Sequence, residues 1–181
     1  MANHFWIYPT KRQDEFYDVR KLMPLLKKEF PQFKFYWEDY IEGNPGDKNS
    51  TKNHHIITVR TDKIDFLFDM ELWNNFFIDN KFDSDDKMEL IDALDKKDEN
   101  LADKVLTDLE DKGELRCIEV RRTMYHSEMS LITRWMRQYF QAIVMDEGIY
   151  PEVIFPIPEG EDYKPKPEKS FIKKFGDWLG K

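Results

Sequence analysis

The chain has 181 residues, of which 40% are hydrophobic and 15% aromatic, so it can build a sizeable core without disulfides. The formal net charge is −8, which argues against general nucleic-acid binding because phosphate contacts need positive charge. The lone Cys117 excludes an internal disulfide, no apolar run could span a membrane, and a signal-peptide pattern is lacking. We therefore expect a cytoplasmic protein.

The first predicted elements are a strand and a helix. "HFWIYP" is apolar on both faces, which is typical of a strand in the interior of a sheet. A helix is predicted from about Asp14 to Phe30, and Pro24 should kink or divide it. The positions expected to form its buried stripe are Phe16, Val19, Met23, Leu26 and Phe30.

Three strands are predicted next, in "FKFYWEDYIEG", "HHIITVRT" and "KIDFLFDMELW". Short links between them indicate an antiparallel meander. The third segment has the most regular alternation, and its apolar positions are expected to face the core. These positions are Ile64, Phe66, Phe68, Met70 and Leu72.

The second half predicts a mixture of helices and strands. Ser84 and Asp98 are expected to cap two short helices, and "ELRCIEVRRT" should form a strand. A long helix is predicted from Ser127 to near Gly148, followed by an edge strand in "YPEVIFPI". The expected fold is α+β, with helices packed on a mainly antiparallel sheet of about five to six strands in the element order βαβββααβαβ.

The carboxyl terminus differs from the rest of the chain in charge. We predict one globular domain over residues 1–158, a Pro- and Lys-rich linker over 159–170, and an amphipathic helix or docking peptide over 171–181. Residues 164–181 carry six lysines against two acids, a net charge of +4, which leaves −12 for the remainder. The expected docking face consists of Phe171, Ile172, Phe175, Trp178 and Leu179. This tail could pack on its own domain, on a partner or second copy, or on an anionic membrane surface.

No catalytic or metal-binding signature is present, and no cofactor is predicted. His54 and His55 are adjacent on a predicted strand and so point to opposite faces, which prevents joint ligation of one ion. The "DNKFDSDDKMEL" segment lacks the Gly and Glu that a calcium loop needs. The pattern Glu119-Val-Arg121 after Asp111 resembles the acid–base pair of metal-dependent nucleases, but Arg does not readily give up a proton.

The arginines are clustered along the sequence. Five of the eight lie between residues 116 and 137, and guanidinium groups suit bidentate contacts with carboxylate or phosphate. The predicted anion- or partner-binding residues are Arg121, Arg122, His126, Arg134 and Arg137. The alternative is that these arginines pair internally with Glu114, Glu119, Glu128 and the acidic helices.

The sequence favours a binding protein over an enzyme. We expect a small protein of the inhibitor, immunity or adaptor kind that binds another protein. A basic partner would suit the acidic body, and the tail could mediate self-association. The acidic body and surface-capable aromatics such as Tyr36, Tyr40 and Trp73 support this. The alternative is a hydrolase or phosphoryl-processing enzyme with an Arg and His site near residues 121–137.

Overall fold

The fold is taken from a computed structural model that describes residues 4–42, 52–73, 117–121, 123–146 and 152–164, with isolated positions between 92 and 103. Within these ranges, seven strands form one antiparallel sheet in the order β2-β3-β4-β5-β1-β6-β7, and three helices accompany it. The elements are β1 His4–Tyr8, α1 Gln13–Phe16, α2 Val19–Glu29, β2 Lys34–Glu42, β3 Lys52–Arg60, β4 Phe68–Trp73, β5 Ile118–Arg121, α3 His126–Tyr139, β6 Ile143–Asp146 and β7 Glu152–Ile154.

This architecture agrees with the predicted α+β class. β1 lies in the interior of the sheet and β7 at an edge, as their apolar and proline patterns indicate. All three described helices pack on one face, where Ile7, Met70 and Val120 contribute to a continuous apolar core. None of the described helices is long and apolar enough to cross a bilayer.

The predicted first helix is present as two helices. All five residues of its predicted stripe are buried. The division lies before Pro24, at Asp18, whose side chain accepts a hydrogen bond from the Arg20 amide at 3.0 Å and caps α2. Pro24 stands inside α2, so the predicted point of division is wrong.

The predicted alternation from Ile64 to Leu72 holds only in part. Phe68, Met70 and Leu72 are buried, but Phe66 is 53% exposed and the core-facing prediction for it is wrong. A turn precedes β4, in which the Thr61 hydroxyl accepts hydrogen bonds from the amides of residues 63 and 64. The chain then bends at the buried Leu67, so the strand register begins at Phe68.

The predicted long helix is also only partly correct. α3 ends at Tyr139, and residues 143–146 form β6 between β1 and β7, so the sheet has one strand more than the largest number predicted. Gln141 ends the helix in a left-handed conformation, with φ 47°. Its side-chain amide donates to the carbonyls of Gln138 at 2.7 Å and Ile157 at 2.8 Å. The two helices predicted after Ser84 and Asp98 lie in a stretch of which only isolated residues are described.

A segment that we name the C-terminal strap, residues 155–164, crosses α3 towards the end of α2. Ile157 and Tyr163 are buried in the core, and the Tyr163 hydroxyl donates to the carboxylate of Glu29. Burial and this bond raise the pKa of Tyr163. Tyr163, which falls within the predicted linker, therefore packs on the domain. The predicted docking face of the tail, residues 171–181, lies outside the described residues.

Candidate protein interface

The β2–β3 hairpin carries exposed aromatic residues at one edge of the sheet. Burial falls along β2, from Phe35 at 3% exposed to Trp37 at 38%. Tyr36, which points to the opposite face of the strand, is 51% exposed. No described strand pairs with the outer edge of β2.

Contacts across the hairpin fix the orientation of Trp37. Its ring meets the His55 ring edge-on, with centroids 5.4 Å apart and an interplanar angle of 88°. Nδ1 of His55 lies 2.6 Å from Oδ1 of Asp39, a close charge contact when the imidazole is protonated, although its alignment is not that of a hydrogen bond. Asp39 and His55 are directly opposite in the strand register, which explains how the chain brings them together.

On the opposite face of the hairpin, Tyr36 also contacts a neighbouring side chain. The guanidinium carbon of Arg60 lies 4.9 Å from the centroid of the Tyr36 ring, within cation–π range. Lys34 forms an ion pair with Asp62, with Nζ and Oδ1 2.5 Å apart. Tyr36 and Trp37 therefore each contact a neighbouring side chain while remaining exposed. We name Tyr36, Trp37, Asp39 and His55, with the β2 backbone, the edge surface.

The described arginines of the predicted site are divided between the two sides of the sheet. Arg121 points away from the helices and pairs with Glu71, with Nη2 and Oε1 3.3 Å apart. Arg134 and Arg137 lie on α3, which packs on the other side of the sheet. His126 is the exposed first residue of α3, and Arg122 lies outside the described residues.

Arg137 and Arg134 have different roles in the fold. Nε of Arg137 donates to the Phe155 carbonyl at 2.7 Å and so holds the C-terminal strap. Burial, and then the nearby charge of Arg134, lower the pKa of Arg137 from its usual value. Nε of Arg134 is buried without a hydrogen-bond acceptor in the structure. Of these two arginines, Arg137 therefore serves the fold, whereas Nε of Arg134 has no hydrogen-bond partner in the structure.

Alanine at these two positions should have separate effects on stability. Arg137→Ala is expected to lower the free energy of unfolding by about 1.5–3 kcal/mol, because the Phe155 carbonyl loses a charged donor. Arg134→Ala should change it by less than about 0.5 kcal/mol. Urea melts of both variants provide the comparison. If Arg137→Ala leaves the free energy of unfolding unchanged, Arg137 would again be a candidate for binding an anion or a partner. Equal losses in both variants would assign both arginines to internal pairing.

Sequence reasoning identified Tyr36 as a surface aromatic but missed the contact of Trp37 with His55 and Asp39. The available signals were the strand alternation of β2 and the adjacent histidines, His54 and His55. Which residues of β2 lie beside His55 depends on the hairpin register. Within the described ranges, no three His, Cys, Asp or Glu side chains meet as a metal site requires. No family model, curated protein or solved structure matches the chain.

Proposed function

We propose that this protein works by binding another protein through the edge surface, in the manner of an inhibitor, immunity factor or adaptor. The observation that carries the proposal is a nine-residue edge strand with two neighbouring exposed aromatics, Tyr36 and Trp37. Trp and Tyr are enriched among the residues that dominate binding energy at protein interfaces. Their fixed orientation reduces the entropy lost when a partner binds.

The area of the two rings indicates what else the interface needs. Covering their exposed parts would remove about 200 Å² from water, worth roughly 5 kcal/mol at about 25 cal/mol per Å². Association itself costs about 4–15 kcal/mol, so two aromatic side chains cannot supply a stable complex alone. Backbone hydrogen bonds along β2 would provide the remainder, as in recognition by addition of a strand to a sheet edge.

The charge of the chain favours a basic partner. A net charge of −8 attracts positively charged proteins and accelerates their encounter, with an effect that salt weakens. Lysine and acidic side chains on edge strands discourage non-specific pairing between sheets, and β2 carries Lys34, Glu38 and Asp39. The partner is therefore expected to present a strand with complementary charge.

Trp37→Ala tests the proposal. A tagged full-length chain should capture a stoichiometric partner from cell extract, and the purified pair should bind at least about tenfold more weakly with the variant. Met124→Ala, which removes an 82% exposed side chain outside the edge surface, is the matched control and should bind normally. Unchanged binding by Trp37→Ala would contradict the proposal. A defined homo-oligomer in light scattering, with no captured partner, would instead indicate a structural subunit.

A second candidate function is a hydrolase or phosphoryl-processing enzyme in the region of residues 121–137. The observation in its favour is the half-buried Arg134, next to Arg137 and without an acceptor for Nε. Calorimetric titration with inorganic phosphate, compared between the wild type and Arg134→Ala, tests it. Absence of heat from the wild type would contradict this candidate.

A further inference from the structure

A pocket of about 250 Å³ opens where β4 and β5 lie side by side. Its walls include Phe66, Asp69, Glu71, Arg121 and Thr123. Asp69 and Glu71 alternate with the buried Phe68, Met70 and Leu72, so they point to the sheet face on which no described helix packs. We name these five residues the acidic pocket.

Asp69, in the wall of the acidic pocket, has a carboxylate oxygen that lacks a donor. Oδ1 of Asp69 is excluded from solvent and has no hydrogen-bond partner in the structure. Such an atom is costly to bury, and a ligand that supplies an N–H group would remove the cost. The Thr123 hydroxyl cannot supply it, because it donates to the Leu67 carbonyl at 2.9 Å.

The charges at the acidic pocket favour a cation. Asp69 lines the acidic pocket beside the ion pair of Glu71 with Arg121, whose side chain is 65% exposed. Phe66 presents a half-exposed aromatic ring beside them, and an aromatic face attracts ammonium and guanidinium groups.

The size of the acidic pocket limits what can enter. A volume of about 250 Å³ lies below the roughly 300–1,000 Å³ typical of pockets for drug-sized ligands. It corresponds to about eight water molecules at about 30 Å³ each, which is room for the end of one long side chain. A lysine or arginine side chain fits this volume and supplies both the charge and the missing donor.

We infer that the acidic pocket binds the ammonium or guanidinium group of a basic side chain presented by the partner protein. This inference rests on the proposed function and specifies its partner. Tyr36, Thr58 and Asp69 are paired in sequence across β2, β3 and β4, so they form one row on one sheet face. At about 4.8 Å between strands, Asp69 lies about 10 Å from the edge surface. A partner strand added to β2 can therefore reach the acidic pocket with one long side chain.

Nuclear magnetic resonance titration of the full-length chain with N-acetyl-lysine amide and N-acetyl-arginine amide tests the inference. Both probes should shift the amide signals of Asp69, Glu71 and Thr123, whereas N-acetyl-norleucine amide and N-acetyl-glutamate amide should not. Asp69→Asn should weaken binding at least about tenfold. Glu161→Gln is the matched control and should bind like the wild type. It alters an exposed acid on the C-terminal strap, which lies on the helix side of the sheet.

Equal shifts with norleucine amide, or undiminished binding by Asp69→Asn, would overturn the inference. If Asp69→Asn fails to fold, Phe66→Ala serves instead and should weaken binding severalfold, because it removes a half-exposed ring. A chain ending at Lys164 that binds the probes more tightly than the full chain would assign the acidic pocket to the protein's own tail and overturn the partner assignment. The probes need no partner, so failure here would leave the Trp37→Ala result standing, and the converse also holds.

Discussion

Phe68→Ala is expected to lower the free energy of unfolding by about 3–5 kcal/mol. The side chain is 2% exposed and belongs to the core between the sheet and the helices. It begins β4 opposite Val59, which is itself completely buried. Removing the ring leaves a cavity that rigid strand neighbours fill only in part. Chemical denaturation monitored by circular dichroism measures the change.

Phe66→Ala is the matched control for this prediction. The two phenylalanines are separated by one residue and both fit the alternation of the sequence, yet Phe66 is 53% exposed. Its replacement should cost less than about 1 kcal/mol. A loss at Phe66 as large as that at Phe68 would mean that the strand register begins earlier than the structure places it.

Truncation within the C-terminal strap should have the second large effect. A chain ending at Pro158 loses the buried Tyr163 ring and its hydrogen bond to Glu29, so we expect a loss of about 3–5 kcal/mol. It also loses the exposed ion pair of Lys11 with Glu159, where Nζ and Oε1 are 3.0 Å apart, but such pairs contribute little. Thermal melts of the truncated and full chains provide the comparison.

A chain ending at Lys164 is the control, because it keeps the whole strap and removes only residues 165–181, the rest of the predicted linker and the tail. It should melt within a few degrees of the full-length protein. Equal stability of the two truncated chains would show that Tyr163 contributes nothing to the fold. Unfolding of both would make the tail a core element and contradict its predicted role as a docking peptide.

The helical stripe and the strand patterns were predictable because each depends on neighbours along the chain. Phe16, Val19, Met23, Leu26 and Phe30 recur at spacings of three and four, and any helix with that spacing must bury them on one face. The edge position of β7 was likewise predictable, since its flanking prolines cannot donate backbone hydrogen bonds.

The end of α3 was not predictable from local pattern. Residues 140–146 are apolar enough to continue a buried helix or to form a buried strand, and periodicity cannot separate these over so short a run. Gln141 is not a usual residue for a left-handed helix end, where Gly or Asn is expected. Its side chain gains a hydrogen bond to Ile157, which lies on the strap and is remote in sequence.

The sequence by itself determined the fold class, the interior place of β1, the buried stripe of the first helices and the contrast between an acidic body and a basic tail. All of these follow from composition or from spacing within a single element. Only the tertiary structure decided that Arg121 and Arg137 lie on opposite sides of the sheet, that Trp37 meets His55, and that Asp69 and Arg121 share one pocket. Those relations depend on the strand register and on which face each element presents to its neighbours. A shift of the register by one residue would move every side chain of a strand to the opposite face of the sheet.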